Sequence, residues 1–201
     1  MLPRRRLDRL FFDRPTTHVA RDLLGCVQEC IDADGQQQRA RIVETEAYVG
    51  TRDRACHASR GRTPRTEVMF GPPGHAYVYL IYGMYCCFNV VTRPEGRAEA
   101  VLVRAAEPIT PVRTHLSGPG ALCRGLAIDR TLNGADLCID GARIWIEPRE
   151  GRRPRHVAAP RVNIDYAGPW ARRLWRFCVE GCVHVSHPRP WRRGRAGSCG
   201  V

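Results

Sequence analysis

The segment from Tyr77 to Val91 constrains this chain more than any other. Two apolar runs, rich in β-branched and aromatic residues, meet at Gly83, and such residues favour a pleated, half-buried strand. A β-hairpin turning near Tyr82-Gly83 is the economical interpretation. An aromatic ring at the tip, Tyr82, then either lies against the body of the protein or projects from it. Projecting, it has the shape of a wedge that enters between base steps of a duplex.

Further strand signals surround the hairpin. Gly25–Ile31 and Ala40–Val49 flank the polar turn Asp32-Ala33-Asp34-Gly35, a second hairpin signature, and Ala98–Ala105 reads as a buried strand. Ala142–Glu147 and Trp175–Val185 give additional signals. Asp8–Gly25 reads as an entry segment and one helix, with Thr16 or Thr17 at the cap, Leu23 and Leu24 inward and Gly25 at the end, and a second helix is expected at Ser117–Ile128, with Pro119 in the first turn. Strands dominate without regular alternation with helices. The expected fold is therefore α+β, a single domain built on a mainly antiparallel curved sheet with flanking helices and a protruding β-hairpin. The domain should span residues 8–187, with basic termini at 1–7 and 188–201. The arginine-rich stretch Pro148–Pro160 reads as a loop, either simply solvated or available to phosphates.

Charge narrows the partners. A net charge of +12 on 201 residues favours a polyanion. No apolar run is long enough to cross a bilayer, and the arginine-rich start is not followed by the apolar stretch of a secretory signal, so no membrane partner and a cytoplasmic location are expected. All 32 basic residues are arginine. Without a lysine amine, Schiff-base chemistry is open only to the chain terminus. The ten cysteines lack CxxC spacing, so buried thiols are expected rather than a disulfide framework or a zinc site, although His184 beside Cys182 keeps a metal reading open.

Candidate chemistry lies in three places. In Arg41–Tyr48, strand alternation puts Glu44, Glu46 and Tyr48 on one face, the carboxylates about 6.6 Å apart along the strand. Arg104 ends the apolar run Val101-Leu102-Val103 and needs an acceptor if buried, for which Glu46 is a candidate. The stretch His57–Thr66 carries Arg60, Arg62 and Arg65 among turn-forming residues, suiting a loop along a phosphate backbone.

Together these segments resemble the alkyladenine (3-methyladenine) DNA glycosylases. The likeness runs from Phe11-Phe12-Asp13 through the Glu44-Thr45-Glu46-Ala47-Tyr48 motif, the Tyr77–Asn89 hairpin, Arg104, Gly118-Pro119 and Leu122 to Arg176-Phe177. It implies a single mixed α/β domain acting as a monomer on double-stranded DNA with damaged purines, needing neither metal nor other cofactor. By carry-over, Glu46 activates water and Arg104 helps hold it. Tyr48, His57 and Tyr79 line the base pocket, Asn89 screens purines by their exocyclic groups, and Tyr82 fills the gap left in the duplex. Tyr79 and Asn89 must then share a face. A two-residue turn at Tyr82-Gly83 would oppose them, so the resemblance demands an odd-length loop, Tyr82 to Met84, or an equivalent bulge. Of the family's motifs, the segment around His57 matches least well, because Ala58 stands before Ser59.

The implied activity is base release from the flipped nucleotide, leaving an abasic site without strand cutting. Three rivals remain open from sequence: a non-catalytic binder of distorted or lesion-containing DNA, a nucleosidase using Glu44 and Glu46 as an acid–base pair, and a metal-dependent enzyme.

Overall fold

The computed structural model describes residues 6–191. Two short helices, α1 (Arg9–Phe12) and α2 (Thr16–Asp22), precede strands β1 (Val27–Ile31) and β2 (Gln37–Tyr48). Then come the hairpin β3 (Ala76–Ile81) and β4 (Tyr85–Thr92), β5 (Glu99–Pro108), α3 (Pro119–Gly125), β6 (Ile144–Glu147), β7 (His156–Ala159) and β8 (Arg176–Val179). The fold is α+β, as the sequence implies. The sheet is antiparallel throughout its pairings, in the order β3-β4-β5-β2-β1-β6, with β8 joined to both β2 and β7.

The long strand β2 curls the sheet. Its first half pairs with β1 and its last part with β8, while β5 runs along the other side. The change of partner coincides with register shifts between Ile42 and Thr45. Bulges of this kind bend a strand and increase its twist. One face of the sheet carries the main core: Ala76 and Val78, Phe88 and Val90, Val101, Val103 and Ala105 pack with Val19 of α2, Leu23 and Leu24 just after it, and Leu122 of α3. The alternate residues of the same strands point to the opposite face, where the cavity described below lies.

Four sequence expectations need correction. The expected helix is α2, but the entry segment before it holds a short helix of its own, α1, which Pro15 keeps separate by disfavouring helical geometry at Arg14. Asp8 caps α1 by accepting from Phe11 N at 2.8 Å. Neither Thr16 nor Thr17 caps α2; Pro15 occupies the cap, and the Thr16 hydroxyl bonds instead to Thr92 and Glu99. The Pro148–Pro160 stretch is not all loop, since β7 pairs with β8 there. Within it Arg149 and Arg153 donate to Asp22, fixing them to α2 rather than leaving them free. Finally, β8 stops at Val179, ahead of Gly181 with a φ of 71°. Arg192, Arg193 and Arg195 of the basic C-terminal stretch, and residues 1–5, lie outside the described residues.

Among the described residues eight cysteines are free thiols, six of them buried; Cys182 differs in being disulfide-bonded. Among the described residues, no group of three His, Cys, Asp or Glu side chains is placed to hold a metal ion. No helix among them is long and apolar enough to cross a membrane.

Candidate active site

The register of the hairpin decides what the site contains. Tyr79 pairs with Cys87, Tyr77 with Asn89, and Ile81 with Tyr85, leaving the three-residue loop Tyr82-Gly83-Met84. The odd-length loop therefore places Tyr79 and Asn89 on one face. Asn89 pairs in turn with Leu102 on β5, and Leu102 with Glu46 on β2. Alternation across the four strands brings Tyr77, Tyr79, Cys87, Asn89, Leu102, Arg104 and Tyr48 to a single cavity of about 650 Å³. Its remaining walls come from the turn around His57, the start of α3 and the segment Val162–Ile164. That volume is in the range of pockets that enclose small ligands.

The carboxylate of Glu46 sits immediately behind this wall, fully buried. Oε2 accepts from the Tyr48 hydroxyl at 2.8 Å and Oε1 from the Val162 backbone N–H at 2.8 Å. Arg104 Nη1 approaches Oε1 at 3.5 Å. Tyr48, Val162 and Arg104 all line the cavity, so the acid is one contact from its interior.

Glu44 does different work. Its Oε1 accepts from Arg104 Nε (2.9 Å), Arg176 Nε (2.6 Å) and Ser186 Oγ (3.0 Å), and its Oε2 from the Ser186 N–H (2.7 Å). Arg104 thus has Glu44, not Glu46, as its hydrogen-bonded carboxylate, with Glu46 a looser ion pair. With four donors on its two oxygens, Glu44 is committed to holding Arg104, Arg176 and Ser186, which argues against a Glu44–Glu46 acid–base couple. It serves to aim Arg104. Burial opposes the charge on Arg104, but Glu46 and Glu44 outweigh it and hold the guanidinium firmly protonated.

The aromatic rings of the wall pack against one another. Tyr77 and Tyr79 lie 5.2 Å apart, and His57 meets Tyr79 edge-on at 4.5 Å. His57 Nδ1 bonds the Tyr77 hydroxyl at 3.0 Å. Burial, then the charges of Arg65 and Arg60, lower the His57 pKa from 6.5 to about 4, so the ring is neutral at physiological pH. Burial raises the Tyr48 and Tyr79 hydroxyls well above their ordinary value, and Glu46 adds to both. The Asn89 amide nitrogen donates to Tyr77 O (3.0 Å) and Cys87 O (3.4 Å), which locks the side chain into the wall.

At the mouth, Tyr82 projects into solvent with 84% of its surface exposed, so it does not lie on the body. Its φ of 51° and that of Gly83, 70°, form the tight tip. A left-handed backbone at a tyrosine is costly and persists where the surrounding strands impose it. Of the three candidate backbone arginines, only Arg60 stands clear. Arg62 forks onto Glu67 at 2.6 and 2.9 Å. Arg65 lies over the Tyr79 ring at 5.2 Å and donates to Leu80 O, making it part of the cavity wall.

Sequence reasoning passed over Tyr77, whose place two residues before Tyr79 was a usable signal, and Val162, whose contribution is a backbone N–H and so leaves no mark in residue type. The chain is also similar to known proteins. A family model described as methylpurine-DNA glycosylase matches residues 10–183. The chain is 54% identical over 186 residues to a protein of Anaeromyxobacter dehalogenans strain 2CP-C named "Putative 3-methyladenine DNA glycosylase", covering 92% of this chain and 88% of that one. Proteins of the same name from Methanocella arvoryzae (49% over 199 residues; 92% and 97% covered) and Legionella pneumophila strain Corby (46% over 183 residues; 90% and 98%) are similar over nearly their whole lengths.

Proposed function

The chain belongs to the methylpurine-DNA glycosylase family, and from that premise we propose that it is a monofunctional enzyme which flips a damaged purine out of duplex DNA and hydrolyses its N-glycosidic bond. The observation that carries this reading is the buried Glu46 carboxylate, oriented by Tyr48 and Val162, directly behind a cavity walled by aromatic rings.

A base in a duplex hides its glycosidic bond and must be extruded, at a cost of a few kcal/mol that weakly paired lesions reduce. Tyr82 fills the space it leaves. In the cavity the purine lies against Tyr48, Tyr79 and His57; a cationic alkylated base gains about 0.5–2 kcal/mol from electron-rich rings. Asn89, fixed by its two carbonyl partners, screens the exocyclic groups. As the bond breaks, the sugar acquires oxocarbenium character, which the Glu46 carboxylate stabilises while taking a proton from the attacking water that Arg104 helps hold. With no lysine in the sequence, no side chain supplies the amine for an imine to the sugar, and the strand stays intact at an abasic site. The protein acts as a monomer, without a metal.

The test is incubation with short duplexes carrying 3-methyladenine, hypoxanthine or ethenoadenine, scored separately for free base and for strand scission. Base release without scission is expected. Tight lesion binding without release would favour a non-catalytic binder, and hydrolysis of free nucleosides alone a nucleosidase. Scission without added alkali would overturn the monofunctional assignment.

A further inference from the structure

The Tyr48 ring and the Glu46 carboxylate both contact a segment with no regular structure, residues 161–164, in which Asn163 adopts a φ of 58°. No sheet ladder sets its position. What does is Arg161. Its guanidinium forks onto Asp53, Nη1 to Oδ2 at 2.5 Å and Nη2 to Oδ1 at 2.9 Å, and neither side chain is exposed at all. Nη1 also donates to the Ala47 carbonyl at 2.9 Å, tying the segment to β2 between Glu46 and Tyr48. The guanidinium carbon lies over the Tyr48 ring, 4.7 Å from its centroid, and over that of Trp175 at 5.1 Å. Asp53 is held in turn, accepting from Val49 N and Ala55 N at 3.1 Å each.

From this geometry we infer that Arg161, fixed by Asp53, is a positioning residue for the reaction, setting both the Val162 N–H on Glu46 and the Tyr48 ring. The inference rests on the glycosylase reading above. Arg161 lies one residue from the donor that fixes Glu46 Oε1 and in ring contact with the donor that fixes Oε2. A shift of the segment would move both constraints together. Fork, backbone bond and stack at once require a planar guanidinium; a lysine ammonium supplies charge but not that shape.

Two variants test it. Arg161→Lys keeps the buried Asp53 compensated. The neutral pair Asp53→Asn with Arg161→Gln leaves no unpaired buried charge, the usual cause of collapse when one partner is removed. Each is assayed for thermal melting, affinity for an uncleavable lesion duplex, and single-turnover base release. The expected result is a folded protein whose duplex affinity stays within about threefold of wild type while base release slows about 10- to 100-fold, the scale of a small misplacement of reacting groups. Base release within about twofold of wild type overturns the inference. Loss of affinity in proportion to rate does so too, as does melting of both variants below assay temperature, since Arg161 would then serve binding or stability alone. Absence of base release by the wild-type protein would instead sink the underlying function, so the two failures are distinguishable.

Discussion

Tyr48 donates its hydroxyl to Glu46 Oε2 at 2.8 Å from two residues along the same strand, so a ring that lines the cavity also orients the acid behind it. Burial, reinforced by Glu46, keeps that hydroxyl protonated well beyond the ordinary tyrosine range. Tyr48→Phe retains the ring and removes the donor. A hydrogen bond to a charged acceptor contributes about 1.5–3 kcal/mol, so single-turnover base release should fall roughly 10- to 100-fold with duplex affinity kept. An unchanged rate would show that Val162 and Arg104 suffice to orient Glu46.

Glu46→Gln goes further, since the amide keeps the shape but neither takes a proton nor offsets a developing positive charge. Loss of a general base costs typically 10²- to 10⁴-fold, and the rate of base release should fall by about that factor. Binding to lesion duplex should persist, measured by gel shift or anisotropy. A variant that still releases base at the wild-type rate would remove Glu46 from the chemistry.

The sheet and most of the cavity were legible in the sequence because both follow from period-two alternation. Once Tyr77–Val91 is a hairpin with a three-residue loop, Tyr79 and Asn89 share a face, and Val43, Thr45 and Ala47 oppose Glu44, Glu46 and Tyr48 by the same rule. Side-chain partners across the fold were not legible. That Arg104 bonds Glu44 rather than Glu46 depends on Arg176 and Ser186, brought in by β8 and the segment after it. Arg62 and Arg65 looked like free cations because a sequence does not reveal that Glu67 and the Tyr79 ring engage them.

His57 makes a prediction in pH. Its folded-state pKa is lowered from 6.5 to about 4 by burial and by Arg65 and Arg60. Between those values the unfolded chain binds the proton and the native protein does not. The contribution of His57 to stability is therefore complete above about pH 6.5 and is lost as pH falls toward 4. Urea midpoints of wild type should drop across that window more steeply than those of His57→Gln, whose side chain does not titrate. Parallel slopes would place the imidazole in contact with solvent.

Tyr82 is suited to act on DNA without supporting the fold, since it is exposed and its loop neighbours are Gly83 and the exposed Met84. Tyr82→Ala should leave the melting temperature near that of wild type. It should slow base release most where the lesion is well paired, because the wedge offsets unstacking, which costs a few kcal/mol per step. Release from single-stranded substrate should change little. Equal losses on single and double strands would argue that the ring belongs to the pocket instead.

The three arginines after His57 should separate in salt dependence. Each phosphate neutralised on duplex DNA contributes about −0.9 to the slope of log K against log salt. Arg60 is exposed and, among the described residues, pairs with no carboxylate, so Arg60→Ala should reduce the slope by about that amount if the loop tracks the backbone. Arg62 must first leave Glu67, whose fork geometry holds it at 2.6 and 2.9 Å. Arg62→Ala should therefore alter the slope less, and Glu67→Gln should steepen it by freeing the guanidinium. Arg65 is committed to Tyr79 and Leu80, so Arg65→Ala should disturb base release more than salt dependence. Identical slopes for all three alanine variants and wild type would mean that this loop faces away from the duplex, and the backbone track would have to be sought on another face of the mouth.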